Sequence, residues 1–135
     1  MATKTASGLV AYAIAQLGLP YWYATYGSVA TEALYSYKKK QYPKYYTASD
    51  FPKQYGLRVH DCIGPIKGYH WSDTPTAKPV YKANGFPDTS ANGLYSYCKK
   101  KSTNMSKMPD VPGILVFMSG HVGVYIGYGK VVEAR

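Results

Sequence analysis

Cys62, His121 and Glu133 are the residues of this chain that could share one reaction. A cysteine thiolate is a nucleophile, a histidine can take the thiol proton, and a carboxylate can hold the imidazole ring. Cys62 stands in "HDCIGPIKGYHW", directly after Asp61 and shortly before Pro65. Proline is tolerated in the first turn of a helix and not further in, so a helix holding Ile66 to Trp71 must begin near Cys62 to Gly64. That start supplies unpaired N–H groups and the positive end of the helix dipole, which favour a thiolate. Taken singly, each residue has a plainer reading. Cys62 would be an inert buried thiol, His121 a satisfied sheet histidine, and Glu133 the partner of a lysine or arginine. His60 and His70 flank the cysteine, but no HExxH and no second Cys/His cluster accompanies them, so no metal site is expected.

The element that joins His121 to Glu133 is a hairpin. "HVGVYIG" and "KVVEA" read as strands around "GYG", a three-residue loop with Gly129 in the left-handed conformation. This register pairs Tyr125 with Val131 and Ile126 with Lys130. Val122, Val124, Ile126, Val132 and Ala134 then share a wholly apolar face that must be core. His121 and Glu133 fall on the other face as near-diagonal neighbours on adjacent strands.

Upstream, Val10, Ala13, Ile14 and Leu17 follow helical spacing, with Gly18 and Pro20 as the stop. The same opening, "MATKTASGLVAYAIAQLG", has the lysine and apolar run of a short signal peptide, but the spacing favours a first helix of the fold. "LGLPYWYATYG" is an aromatic loop whose Tyr21, Trp22, Tyr23 and Tyr26 suit a groove wall. A second helix is expected over 28–40, capped by Ser28 and ended by Lys38, Lys39 and Lys40. "QYPKYYTASDFPKQYG" is irregular and reads as part of a Tyr/Lys-rich surface insertion at about 27–58. Ser90 opens a helix through Lys100, on which Ala91, Leu94, Tyr95 and Cys98 form the apolar stripe; burial is therefore expected for Cys98. The near-repeat of "LYSYKKK" and "LYSYCKKK" has no repeated surroundings and reads as two amphipathic helices ending in lysines.

The chain has 135 residues, 46% of them hydrophobic, which suits a single domain with its own core. Its formal charge is +9, almost all from lysine, with 16 tyrosines. Lysine in surplus attracts polyanions diffusely rather than reading bases. No helix-turn-helix, RNP or zinc-finger pattern is present, which argues against nucleic acid as partner. No apolar run approaches the roughly 18 residues of a membrane span.

Taken together, "PYWYATYG…HDCIGPIK…PGILVFMSGHVGVYIGYGKVVEAR" resembles the NlpC family of cell-wall cysteine peptidases. The family carries a "PYxW" segment after its first helix, a "DCSG" opening its catalytic helix, then "PGDLVFF" and "HVGIYIGNG" strands. The resemblance implies an α+β, reduced papain-like fold, with the nucleophile's helix packed on a C-terminal antiparallel sheet. It implies Cys62 as nucleophile, His121 as base and Glu133 at a third position that is more often His, Asn or Gln. It further implies that Asp61 holds the free end of a substrate peptide and that Tyr21 lines the oxyanion site; Trp22, next to it in the aromatic loop, is expected to bind substrate as part of the groove wall. Ile63 and Ile114 replace the usual Ser and acidic residue, and an extra stretch separates Tyr21 from Asp61.

The expected activity is hydrolysis of amide bonds in peptidoglycan stem peptides, after γ-linked D-glutamate, by a monomer without a cofactor. Anionic wall polymers are a secondary partner. The rival readings are an N-acetylmuramoyl-L-alanine amidase using the same residues, and a non-catalytic binder of wall polymer or nucleic acid. The expected place of action is the bacterial wall, reached as a phage lysin or as a domain of a larger secreted or tail protein.

Overall fold

The computed structural model describes residues 4–74 and 76–135. Met1 to Thr3 of the opening segment and Pro75 of the loop after the third helix lie outside the described residues. Among the described residues the fold is a small α+β arrangement of four α-helices and two antiparallel sheets, one of two strands and one of three.

Helix α1 (Ala6–Ala15) starts at Thr5, whose hydroxyl accepts from the Gly8 N–H at 3.0 Å. Gly18, at φ +83°, makes the stop that its position implies. The expected stripe is buried only in part: Ala13 is in the core and Val10 packs against it, joined by Leu9 and Tyr12, while Ile14 and Leu17 are exposed. The shift follows from Tyr12, whose hydroxyl bonds buried His60 Nε2 at 2.9 Å. Gly68 makes room for this contact, because a Cβ there would lie 2.4 Å from the Tyr12 oxygen.

Strand β1 (Tyr26–Val29) pairs with β2 (Arg58–His60). Ser28 therefore lies in a strand and caps nothing. Helix α2 (Glu32–Gln41) is capped instead by Thr31, whose side chain accepts from Leu34 N–H at 3.1 Å. The three lysines do occupy its last turn, facing the negative end of the dipole. The stretch after α2 forms two short 3-10 turns, Pro43–Tyr45 and Phe51–Gln54. It is more than surface, for Tyr46 and Phe51 are buried with Trp22, Ala30 and Val59 in a second core. The extra segment brings enough aromatic area to need a core of its own.

Helix α3 (Gly64–Trp71) begins where Pro65 requires, and Ile63, Ile66 and Tyr69 carry it into the main core. Helix α4 (Ala91–Tyr97) is capped by the Ser90 side chain as expected but stops three residues short of Lys100. Lys101 Nζ donates to the Tyr95 and Ser96 carbonyls, so a lysine ends this helix by folding back on it. Its stripe is buried at Ala91 and Leu94, whereas Cys98 is only half-buried.

Strands β3 (Leu115–Met118), β4 (His121–Gly127) and β5 (Lys130–Val132) form the second sheet in that order. Tyr125 faces Val131 as expected, but Gly127, not Ile126, faces Lys130. The loop is a two-residue turn with Tyr128 and Gly129 both at positive φ, and a bulge between Tyr125 and Gly127 absorbs the extra residue. Because the bulge lies on the loop side of Tyr125, the faces beyond it are unchanged, and Val122, Val124 and Val132 point into the main core. Among the described residues, no helix is long and apolar enough to cross a membrane.

Candidate active site

Cys62 lies two residues before α3, at one side of a groove of about 710 Å³. Its thiol donates to the Gly120 carbonyl at 3.6 Å, and the Val122 N–H also faces the sulfur. These two groups flank His121, so the turn joining β3 to β4 sets the sulfur beside the start of β4. The turn itself is held by Asn92 of α4, whose Oδ1 accepts from Gly120 N–H at 2.8 Å. Asn92 carries no motif, and its part could not be read before α4 and the turn were placed together.

His121 Nε2 lies 2.8 Å from Glu133 Oε2, the pairing that the hairpin register implies. The other carboxylate oxygen lies 3.2 Å from Arg135 Nε, so Glu133 also has the arginine partner of its plainer reading. The pair lies at the surface, with His121 partly covered at 17% side-chain exposure and Glu133 more open at 29%. Gly123, between them on this face, leaves the space they need, since a Cβ there would lie 2.5 Å from Val131 Cγ1 and 3.3 Å from Glu133 Cβ. With Nε2 engaged by the carboxylate, Nδ1 is the ring nitrogen left for exchanging a proton.

The helix start does not make Cys62 a thiolate in the free protein. Burial pushes the thiol up from its ordinary value, and the neighbouring Asp61 charge pushes it further, against the N–H groups of Val122, Ile63 and Cys62 itself. The opening N–H groups of α3 are shared with Asp61, whose carboxyl they also face. Asp61 is itself raised to about 6 by burial, which outweighs those N–H groups and the charges of Lys67 and Lys38. Its Oδ1 is buried with no hydrogen-bond partner among the described residues.

Tyr21 joins Cys62 and Asp61 at the groove despite the long segment between them, because its backbone bridges to His60 and the Trp22 N–H donates to the His60 carbonyl at 3.2 Å. Burial, followed by the charges of Asp61 and Cys62, pushes the Tyr21 phenol up to about 12, so it keeps its proton. Trp22 is not in the groove. It is fully buried at the centre of the second core, ringed by Tyr35, Tyr46, Phe51 and Tyr55, with its indole N–H donated to Gln54. Tyr21 and Tyr23 line the groove because alternate residues of this extended segment point to opposite sides.

The far wall contains residues that sequence reasoning missed. Lys67 of α3, 9% exposed, pairs with Asp88 at 2.7 Å, and the Tyr81 hydroxyl donates to the other Asp88 oxygen at 2.6 Å. Burial pushes the Asp88 carboxyl up, but the Lys67 and Tyr81 bonds prevail and hold it below its usual range. All three line the groove. Burial takes His60 and His70 down to about 4, His60 bonded to Tyr12 and His70 stacked on Phe86, so both are neutral at pH 7. Among the described residues no group of three or more His, Cys, Asp or Glu is placed to hold a metal ion. No protein-family model, curated protein or solved structure matches this chain.

Proposed function

We propose that the chain is a cysteine peptidase of reduced papain-like fold that hydrolyses peptidoglycan stem peptides, after γ-linked D-glutamate. The observation that carries this reading is the grouping of three chemistries at one end of the three-stranded sheet. Cys62 rests against the residues flanking His121, and His121 is held by Glu133 at 2.8 Å. The groove beside Cys62 is large enough for several peptide residues and is lined by tyrosines, lysines and carboxylates. Such a lining suits a short, polar, charged peptide. The net charge of +9 adds diffuse attraction to an anionic wall.

In the reaction, the Cys62 proton passes to His121 as the sulfur attacks the carbonyl carbon, and Glu133 stabilises the imidazolium that results. The raised thiol means that this transfer accompanies attack rather than preceding it. The Tyr21 hydroxyl, protonated and adjacent, can donate to the oxyanion. Collapse expels the amine with the proton from His121, leaving a thioester. Water, deprotonated by His121, then adds to the thioester, and expulsion of the Cys62 sulfur restores the enzyme.

The test is mass spectrometry of purified peptidoglycan after incubation with the protein and with Cys62→Ala. The expected products are stem fragments cut after γ-linked glutamate, formed by the wild type alone. Release of intact stems from muramic acid would assign the protein as an amidase, and unchanged peptidoglycan would reject hydrolysis altogether.

A further inference from the structure

Of the three lysines that end α2, Lys39 and Lys40 are exposed, whereas Lys38 is half-buried and lines the groove that holds Cys62 and Asp61. Its Nζ lies 5.8 Å from the ring centroids of both Tyr37 and Tyr42. Two aromatic faces at that range attract an ammonium and fix its place without neutralising it. The groove's other lysine is already paired, Lys67 with Asp88. Among the described residues no acidic side chain forms an ion pair with Lys38. Burial pulls the Lys38 ammonium below its ordinary value, while Asp61 and Asp88, acting only through space, oppose this and Lys67 adds to it. A partly desolvated cation is thus held at the groove wall without a counter-ion, an arrangement that an incoming anion would complete.

We propose that Lys38 binds a substrate carboxylate, namely the free α-carboxylate of a γ-linked glutamyl residue whose side-chain carbonyl is presented to Cys62. The proposal rests on the peptidase reading for its choice of ligand. A γ-amide consumes the side-chain carboxyl, so the α-carboxyl remains free and travels with the scissile bond. Amidation of that carboxyl leaves the shape nearly unchanged and removes the charge. Lys38 thereby separates acidic from amidated stem peptides, and the specificity comes from the segment inserted between Tyr21 and Asp61.

Two synthetic tripeptides test this, L-alanyl-γ-D-glutamyl-L-lysine and its α-carboxamide. Calorimetric binding is measured on Cys62→Ala with Lys38 intact, changed to Gln, or changed to Arg, and hydrolysis is measured with the three corresponding active proteins. With Lys38 the acid should bind roughly tenfold or more tightly than the amide, as expected for loss of one charge-assisted hydrogen bond. Lys38→Gln should bring the ratio close to one by weakening the acid alone, and Lys38→Arg should restore most of it. In hydrolysis the same change should fall on KM more than on kcat. A Lys38-dependent preference in binding without hydrolysis would uphold the subsite and reject the peptidase reading. Hydrolysis with equal preference in wild type and Lys38→Gln would do the reverse. Absence of both binding and hydrolysis would overturn the proposal together with that reading.

Discussion

Asp61 holds its proton to about pH 6 in the fold, against 3.8 for an unperturbed carboxyl, because it is buried beside Cys62 with an unpaired oxygen. Below pH 3.8 the folded and unfolded chains both bind this proton, and the residue costs nothing. Between the two values the fold keeps the proton while the unfolded chain releases it, so native stability falls as pH rises. At about 1.4 kcal/mol per pH decade the loss is on the order of 3 kcal/mol by pH 7.5 and well under about 1 kcal/mol at pH 4. Asp61→Asn has nearly the shape of the protonated acid and cannot ionise. It should therefore stabilise the protein by about 2–3 kcal/mol at pH 7.5 and hardly at all at pH 4. Urea unfolding of both proteins at the two pH values measures this, with a parallel rise in Tm on the order of 10 °C at pH 7.5. Equal midpoints at pH 7.5, or the same gain at both pH values, would refute the reasoning and mean that Asp61 is solvated or fully paired. A carboxylate kept at such a cost in stability is what a functional groove, rather than a structural one, would retain.

Removing the Asp61 charge should also let Cys62 ionise at lower pH, so that Asp61→Asn is alkylated by iodoacetamide several-fold faster at pH 7.5; an unchanged pH profile would show that burial alone raises the thiol. Cys62→Ala should abolish wall hydrolysis with the fold intact, and Cys98→Ala should keep activity, as lysis of purified walls would show. Gly68→Ala should destabilise the protein by about 2 kcal/mol or more, seen as a lower urea midpoint, because its Cβ would meet the Tyr12 oxygen at 2.4 Å and the Tyr26 carbonyl at 2.8 Å.

Sequence alone determined the features that rest on short-range sterics and periodicity. Pro65 confined the start of α3 to the residues just before it, because a pyrrolidine ring is tolerated only in the first helical turn, and so placed Cys62 near that helix end. Two-residue alternation put His121 and Glu133 on one face, and the bulge that altered the loop lay too far along to disturb them. Tertiary structure decided everything that depends on which distant segments meet. Trp22 and Tyr21 are adjacent and both aromatic, yet one fills a core built from the later segment and the other lines the groove. Lys38, Lys39 and Lys40 are identical in type, and only the packing of α2 turns the first of them inward. The protonation of Cys62 was likewise beyond local reading. A helix start argues for a thiolate, but burial and the Asp61 charge argue against it, and their balance is a sum over the surrounding fold.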